Sequence, residues 1–270
     1  MAAGLPLRPL FMNFPQMFSL AGKTALVAGA SRGIGLAIAQ GIAAAGAETI
    51  LAARSLPALE QEAARLQEKG FKARALPLDF TNAASIEAAA SAAKRIDVLI
   101  NVAGTNIRKA FEEYTEQEYQ HIFDTNLNGI VRLTQSVGKQ MIERKTGGKI
   151  IMIGSLTSVL GLSYISIYGT TKSAIAGLTR GLAAEWGQYN IQVNCIAPGF
   201  ILTDLNRMMW QDPAMKNWLH GSQPNPRMGA PEDIAPLAVF LSSAGSDYIT
   251  GQVILADGGF STTSNWPFQP

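Results

Sequence analysis

Lys23-Thr24-Ala25-Leu26-Val27-Ala28-Gly29-Ala30-Ser31-Arg32-Gly33-Ile34-Gly35-Leu36-Ala37-Ile38-Ala39-Gln40-Gly41-Ile42-Ala43 is the stretch whose reading decides the fold. Lys23 to Val27 reads as a short apolar strand. A glycine-rich turn follows, and after Gly35 comes a run of good helix formers. Glycines let the backbone turn tightly and come close to a diphosphate. The helix N-terminus then offers free N–H groups and the positive end of a dipole to the phosphate. The spacing is Gly-x-x-x-Gly-x-Gly rather than the commoner Gly-x-Gly-x-x-Gly. Position at a strand–turn–helix junction is what favours phosphate binding over a plain structural turn.

Working outward, apolar strand candidates recur at 24–27, 49–53, 73–78, 98–102, 149–153, 191–196 and 252–256. Helical patterns lie between them at 34–45, 56–69, 85–95, 115–143, 164–189 and 231–241. Strands alternating with helices predict right-handed crossovers and a doubly wound, Rossmann-type parallel sheet of about seven strands with helices on both faces. No repeat, low-complexity block or linker divides the chain, so residues 20–270 read as one domain. The stretch at about 202–227 breaks the alternation with Met208, Met209, Trp210, Trp218, Pro224 and Pro226. An insertion after a strand's carboxyl end is where substrate loops sit in such sheets.

The 270 residues, 47% hydrophobic and 16% charged, describe an ordinary soluble α/β enzyme. A net charge of +2 argues against nucleic acid or an anionic membrane as partner. Cys195 is the single cysteine, so no internal disulfide forms and a cytoplasmic location fits. His121 and His220 stand apart from any cluster with metal-ligand spacing, and no metal is assigned. No apolar run reaches the roughly 18 residues of a membrane span. Residues 1–19, broken by Pro6, Arg8, Pro9 and Pro15, lack the apolar run of a signal peptide. They read as an irregular arm, docked through Phe11, Phe14, Met17 and Phe18. The tail carries Trp266 and Phe268, bulky residues that usually pack against something.

Tyr168-Gly169-Thr170-Thr171-Lys172 carries the chemistry. On a helix, Tyr168 and Lys172 share one face a turn apart. A phenol ionises near 10, too high for easy proton exchange at neutrality, and a nearby cation favours the phenolate. Ser155 stands thirteen residues upstream. At the end of the second strand, an acid would select NAD and an arginine would accommodate the 2′-phosphate of NADP. Ala53 stands where the acid would be, Arg54 follows, and Arg32 inside the glycine turn adds a second positive charge, so NADP(H) is favoured over NAD(H).

In order along the chain, Gly29-Ala-Ser-Arg-Gly33-Ile34-Gly35, Asn101-Val-Ala103-Gly104, Asn126, Ser155, Tyr168-x-x-x-Lys172, Asn194 and Pro198-Gly199 form one set with Arg227-Met-Gly, Pro231-Glu-Asp-Ile and Asp257-Gly-Gly259. This set resembles the short-chain dehydrogenase/reductase family over roughly residues 18 to 260. Two departures from that family's pattern are Ala28, where Thr is usual before the first glycine, and Val102, where a second Asn is usual. The resemblance implies that Tyr168 is the general acid/base and that Lys172 lowers its pKa and binds the nicotinamide ribose. Ser155 would hydrogen-bond the substrate oxygen, and Asn126 would hold a water linking Lys172 to solvent. The cofactor contacts it implies are Gly29, Ser31, Arg32, Gly33, Ile34, Gly35 and Arg54 on the phosphate side. Asp79 and Phe80 would face the adenine, with Asn101, Ala103 and Gly104 beside the adenosine ribose. Pro198, Gly199, Ile201 and Thr203 would lie along the nicotinamide and diphosphate, which Tyr168 and Lys172 also touch.

The segments 105–109 and 203–207 look similar to gluconate 5-dehydrogenase-like members, which act on sugar acids. Arg108 or Arg207 would then hold a carboxylate by paired hydrogen bonds. A 3-oxoacyl-carrier-protein reductase shares most of these motifs, and an idle nucleotide-binding regulator shares the fold. The resemblance further implies a homotetramer built on the helices at 115–143 and 164–189. On the second of these, Ile175, Ala176, Leu178, Leu182, Ala183 and Trp186 would supply surplus apolar surface, and small residues would allow close approach.

Overall fold

The computed structural model describes residues 13–204 and 206–262. Its strands are β1 (Thr24–Ala28), β2 (Glu48–Ala53), β3 (Ala73–Pro77), β4 (Val98–Asn101), β5 (Gly148–Ile153), β6 (Ile191–Pro198) and β7 (Val253–Ala256). They form a seven-stranded sheet in the order β3-β2-β1-β4-β5-β6-β7, every neighbouring pair parallel. The chain starts at the centre, winds out to one edge, returns beside β1 and winds to the other, so the winding reverses between β1 and β4. The expected Rossmann-type sheet is present with the expected strands.

Helices cover both faces because successive strand residues point to opposite sides. Val27, Leu51, Ile100 and Ile151 face one core, under α2 (Gly33–Ala44), α3 (Leu56–Glu68) and α9 (Pro231–Ser242). Leu26, Ile50, Leu99 and Ile150 face the other, under α4 (Ala83–Ala92), α6 (Gly129–Arg144) and α7 (Ser166–Trp186). Near-continuous apolar strands are what a sheet buried on both faces requires.

The expected single helix over 115–143 is interrupted. α5 (Glu116–Phe123) passes through a π-helical turn, Asp124–Asn128, before α6 begins. Gly129 opens α6 because a Cβ there would lie 2.3 Å from the Phe80 carbonyl oxygen. The helix at 164–189 is α7 followed by a 3₁₀ turn, Gly187–Tyr189. In the 202–227 stretch, a 3₁₀ turn, Met209–Gln211, precedes α8 (Pro213–Ser222). Phe200 meets the Trp210, Trp218 and Phe260 rings edge-on at 5.5, 5.4 and 5.0 Å between centroids, fastening this segment to the chain end.

The arm contributes a short helix, α1 (Phe14–Met17), and Phe18 packs 6.0 Å from the Phe240 ring. Phe14 is exposed rather than docked. Phe11, Trp266 and Phe268 lie outside the described residues. Among the described residues no helix is long and apolar enough to cross a membrane.

Candidate active site

The glycine turn and the segments after β2, β4, β5 and β6 lie at the carboxyl edge of the sheet. In register, Ala28 stands beside Ala52 and Asn101, Asn101 beside Met152, and Met152 beside Cys195. The glycine turn therefore leaves β1 level with Arg54 after β2, Val102 after β4, Ser155 after β5 and Gly199 after β6.

The turn closes on its own backbone. Gly29 has φ +106, and a Cβ there would lie 2.7 Å from the Ala103 nitrogen. A Cβ on Gly35 would lie 2.0 Å from the Gly29 carbonyl oxygen, so helix and turn touch main chain to main chain. The departures at Ala28 and Val102 leave the seal intact. The Ala28 oxygen accepts from the Val102 and Ala103 nitrogens at 2.8 and 3.1 Å, and the Ala52 oxygen accepts from Gly29 and Ala30. Arg32 gives α2 no side-chain cap, which leaves the first N–H groups of the helix free for an anion. Gly33, at φ +55, would bring a Cβ to 3.5 Å of the Thr203 Cγ2, so the segment after β6 folds over the turn. An uncapped helix start under a glycine cradle fits the diphosphate of a dinucleotide.

Arg32 and Arg54 are exposed, and among the described residues neither has an ion-pair partner. Asp79 accepts from the Thr81 N–H and hydroxyl at 2.9 and 2.8 Å, which, with the Arg54 charge nearby, holds its carboxyl below the usual range. Several residues expected at the cofactor have buried side chains. Asn101 is buried, and its Nδ2 donates to Thr134 Oγ1 at 3.0 Å on α6. Phe80 is buried against Gly129. Ile201 is likewise buried, bridged to Gly229, and Pro198 is the last residue of β6.

α7 carries Tyr168 and Lys172 on one face, as their spacing predicts. Lys172 is buried, and its Nζ donates to the Ile153 carbonyl oxygen at 2.8 Å, 5.6 Å from the Tyr168 ring centroid. Burial pushes its pKa down to about 8. The half-buried Tyr168 departs from expectation, because burial raises its pKa, opposed by a hydrogen bond with Ser155 and the charge of Arg108. The sequence assigned the lowering to Lys172. In the structure the Lys172 ammonium donates to the Ile153 carbonyl 5.6 Å from the Tyr168 ring centroid, and the Arg108 charge also favours the phenolate.

Asn126 sits in the π-helical turn, fully buried. Its Oδ1 accepts from the Thr105 nitrogen and its Nδ2 donates to the Thr105 oxygen, both at 2.8 Å, and to Thr171 Oγ1 at 3.3 Å. Thr171 in turn donates to the Tyr168 carbonyl at 2.7 Å. A Cβ on Gly104 would stand 3.4 Å from Lys172 Nζ and 3.7 Å from Asn126 Oδ1, which puts the three side by side. Ser155 lies two residues past the end of β5 and accepts from the Thr157 nitrogen at 3.1 Å. Ser158 donates to the Lys172 carbonyl at 2.9 Å, tying that turn to α7. The four expected catalytic residues therefore converge on one crevice. Sequence reasoning missed Thr105, Thr157 and Thr171, whose hydroxyl or backbone roles leave no spacing signal.

Arg108 is exposed beside Tyr168, and among the described residues it has no ion-pair partner. Arg207 is paired with Asp204 at 3.2 Å and is correspondingly less available for a substrate acid.

Comparison with known proteins agrees with this geometry. A family model described as enoyl-(acyl carrier protein) reductase matches residues 29–261. The chain belongs to the short-chain dehydrogenase/reductase family and is an oxidoreductase acting between a secondary alcohol and a ketone. It is 37% identical to a gluconate 5-dehydrogenase of Gluconobacter oxydans over 93% of this chain and 100% of that protein. It is 38% identical to a 5-keto-D-gluconate 5-reductase of Escherichia coli over 90% of this chain and 97% of that one. A solved gluconate 5-dehydrogenase of Burkholderia cenocepacia, in complex with NADP and tartrate, superposes with a TM-score of 0.90 at 35% identity, covering 93% of this chain and 100% of that one.

Tyr168→Phe should lower kcat by roughly 10²–10⁴-fold with little change in thermal stability, since one proton donor and little volume are removed. Steady-state rates at unchanged Tm check this, and wild-type turnover would exclude Tyr168 as the acid/base. Lys172 offers a test by pH. Its folded pKa of about 8 lies below the ordinary 10.5, so the unfolded chain binds more protons between those values and stability rises with pH across that window. The stability of wild type relative to Lys172→Met should therefore climb from pH 8 to 10.5, by a few kcal/mol. Urea melts at fixed pH values measure it, and a flat difference would place Lys172 in solvent.

Proposed function

We propose that the protein is an NADP(H)-dependent oxidoreductase whose substrate is a small sugar acid, interconverted between its hydroxy and keto forms. The observation that carries the acid is Arg108, an exposed guanidinium without an ion-pair partner among the described residues and close enough to act on the Tyr168 phenol. An arginine there can grip a carboxylate through two parallel hydrogen bonds while the carbonyl reaches Tyr168. The most similar relatives named above are a gluconate dehydrogenase and a ketogluconate reductase, which makes a 3-oxoacyl-carrier-protein the less favoured substrate.

In reduction, the Tyr168 hydroxyl gives its proton to the substrate oxygen and Ser155 Oγ holds that oxygen as charge develops on it. Lys172 then becomes the nearest buried proton source for the phenolate, and Asn126, clasped to Thr105 and Thr171, keeps the Lys172 side of the crevice in shape. The nicotinamide, when bound, supplies the hydride for reduction or accepts it in oxidation. Arg54 and Arg32 favour the 2′-phosphate, a dianion that two unpaired guanidiniums can hold.

We also propose a homotetramer in the cytoplasm. The apolar surplus expected on α7 is not available for it, because Ile175, Ala176 and Ala183 are buried within the chain and Trp186 lies over Gly138. The support is the stripe of small residues, since a Cβ on Gly177 or Gly181 would meet nothing within 4 Å. Light scattering that gives one chain's mass would end this reading.

The test of function is a substrate screen followed at the nicotinamide absorbance, with keto sugar acids and neutral ketones, each with both cofactors. Turnover confined to neutral ketones would overturn the sugar-acid assignment. Arg54→Ala should weaken NADPH binding by at least about tenfold and NADH much less, the usual weight of a hydrogen bond to a charged group. Equal losses for the two cofactors would remove Arg54 from the 2′-phosphate.

A further inference from the structure

The segment that carries Arg108 is tied down on either side of it. Toward β4, the Thr105 nitrogen and oxygen are both clasped by the Asn126 amide at 2.8 Å. The Ile107 carbonyl accepts from the Tyr114 hydroxyl. On the far side, the Lys109 nitrogen donates to the Tyr164 carbonyl at 3.0 Å. Tyr164 holds φ +66, a left-handed conformation that a bulky residue adopts only when its surroundings enforce it. Lys109 Nζ lies 5.9 Å from the Tyr114 ring centroid and donates to both Glu118 oxygens at 3.0 and 2.9 Å. Glu118 Oε2 also accepts from the Thr115 N–H and hydroxyl at 2.9 and 3.0 Å, so the carboxylate is fixed to the first turn of α5.

Arg108 and Lys109 are neighbouring cations with opposite situations. Lys109 is neutralised and anchored by Glu118, and Arg108 is exposed with no ion-pair partner among the described residues. We propose that the Lys109–Glu118 ion pair is a positioning device that aims Arg108 at the substrate carboxylate, so that Glu118, which touches no substrate, sets the preference for acids over neutral ketones. This rests on the reading of Arg108 as the carboxylate-binding residue. The device holds across the working pH range, because hydrogen bonds from Lys109 and Thr115 keep the Glu118 pKa at about 2. It also removes a competitor: a freed Lys109 would draw the carboxylate toward a flexible point charge with no paired geometry.

The experiment compares kcat and KM for a keto sugar acid and a neutral ketone of similar length, using the full chain with saturating NADPH. The variants are Glu118→Gln, Lys109→Gln, the double variant and Arg108→Leu. Gln at position 118 can still cap Thr115, so α5 keeps its start. Glu118→Gln should raise KM for the keto acid about tenfold, as expected for a misplaced binding group, and leave the neutral ketone's constants within about twofold. The double variant should be no worse than either single one, because both cut the same link. An unchanged acid-to-neutral KM ratio in Glu118→Gln, or equal losses on both substrates, would overturn the positioning role. Lys109→Gln breaks the pair from the other end and decides the case if Glu118→Gln does not fold. If Arg108→Leu itself leaves the ratio unchanged, the carboxylate reading falls and this inference falls with it. If Arg108→Leu changes the ratio and neither ion-pair variant does, only the inference falls.

Discussion

A parallel sheet has one distinguishable edge, and this chain puts its chemistry there because it has no alternative. With every strand pointing the same way, each carboxyl end opens into a loop on the same side, and each following helix starts there with its positive pole toward the crevice. The register that sets Ala28 level with Ala52 and Asn101, and Met152 level with Cys195, makes five separate segments into one surface. Gly154 belongs to the same constraint. A Cβ there would meet the Cys195 Sγ and the Ser158 Oγ, each at 2.8 Å, so a small residue is needed for β5 to hand the chain to Ser155. The lone cysteine is thus a packing neighbour of the site, its thiol pushed up to about 11 by burial.

Within that surface the charges oppose one another. Lys172 is buried, and its removal from water lowers its pKa even though the Ile153 carbonyl accepts from its ammonium. Tyr168 is pushed the other way by the same exclusion of water. Each group is therefore held nearer its neutral form than either would be in solvent. Arg32, Arg54 and Arg108, all exposed and without ion-pair partners among the described residues, lie on segments at this edge of the sheet. The buried Lys172 thus shares this edge with exposed positive charge.

The sheet was legible because strands buried on both faces write themselves as short apolar runs, and the glycines at 29 and 35 each answer a main-chain contact that forbids a Cβ, while Gly33 answers a positive φ. That Tyr168 and Lys172 share one helix face was legible from their spacing, and the glycine turn and Ser155, in order, gave the pair its meaning. What sequence could not give was direction. Asn101 has the right type at the right position, yet its amide turns to Thr134 under the sheet. Arg207 reads as free until Asp204 is placed beside it. The upward push on Tyr168 was not legible because desolvation is a property of the folded interior. The Thr115–Glu118 capping box emerged only in the structure, and its use as an anchor for Lys109 depends on where the 105–109 segment lands.

The π-helical turn at Asp124–Asn128 gives the helix a change of phase. A residue advances an α-helix by about 100°, so one extra residue in a turn rotates everything before it relative to everything after. α6 is locked to the sheet by Leu133, Val137 and Met141, and α5 carries Glu118. The wide turn is thus a fixed angular offset between the half of the helix that reads the core and the half that reads the crevice. Deleting one residue there would keep both helical halves and their sequences and still swing Glu118 off Lys109, and it would carry Asn126 away from Thr105.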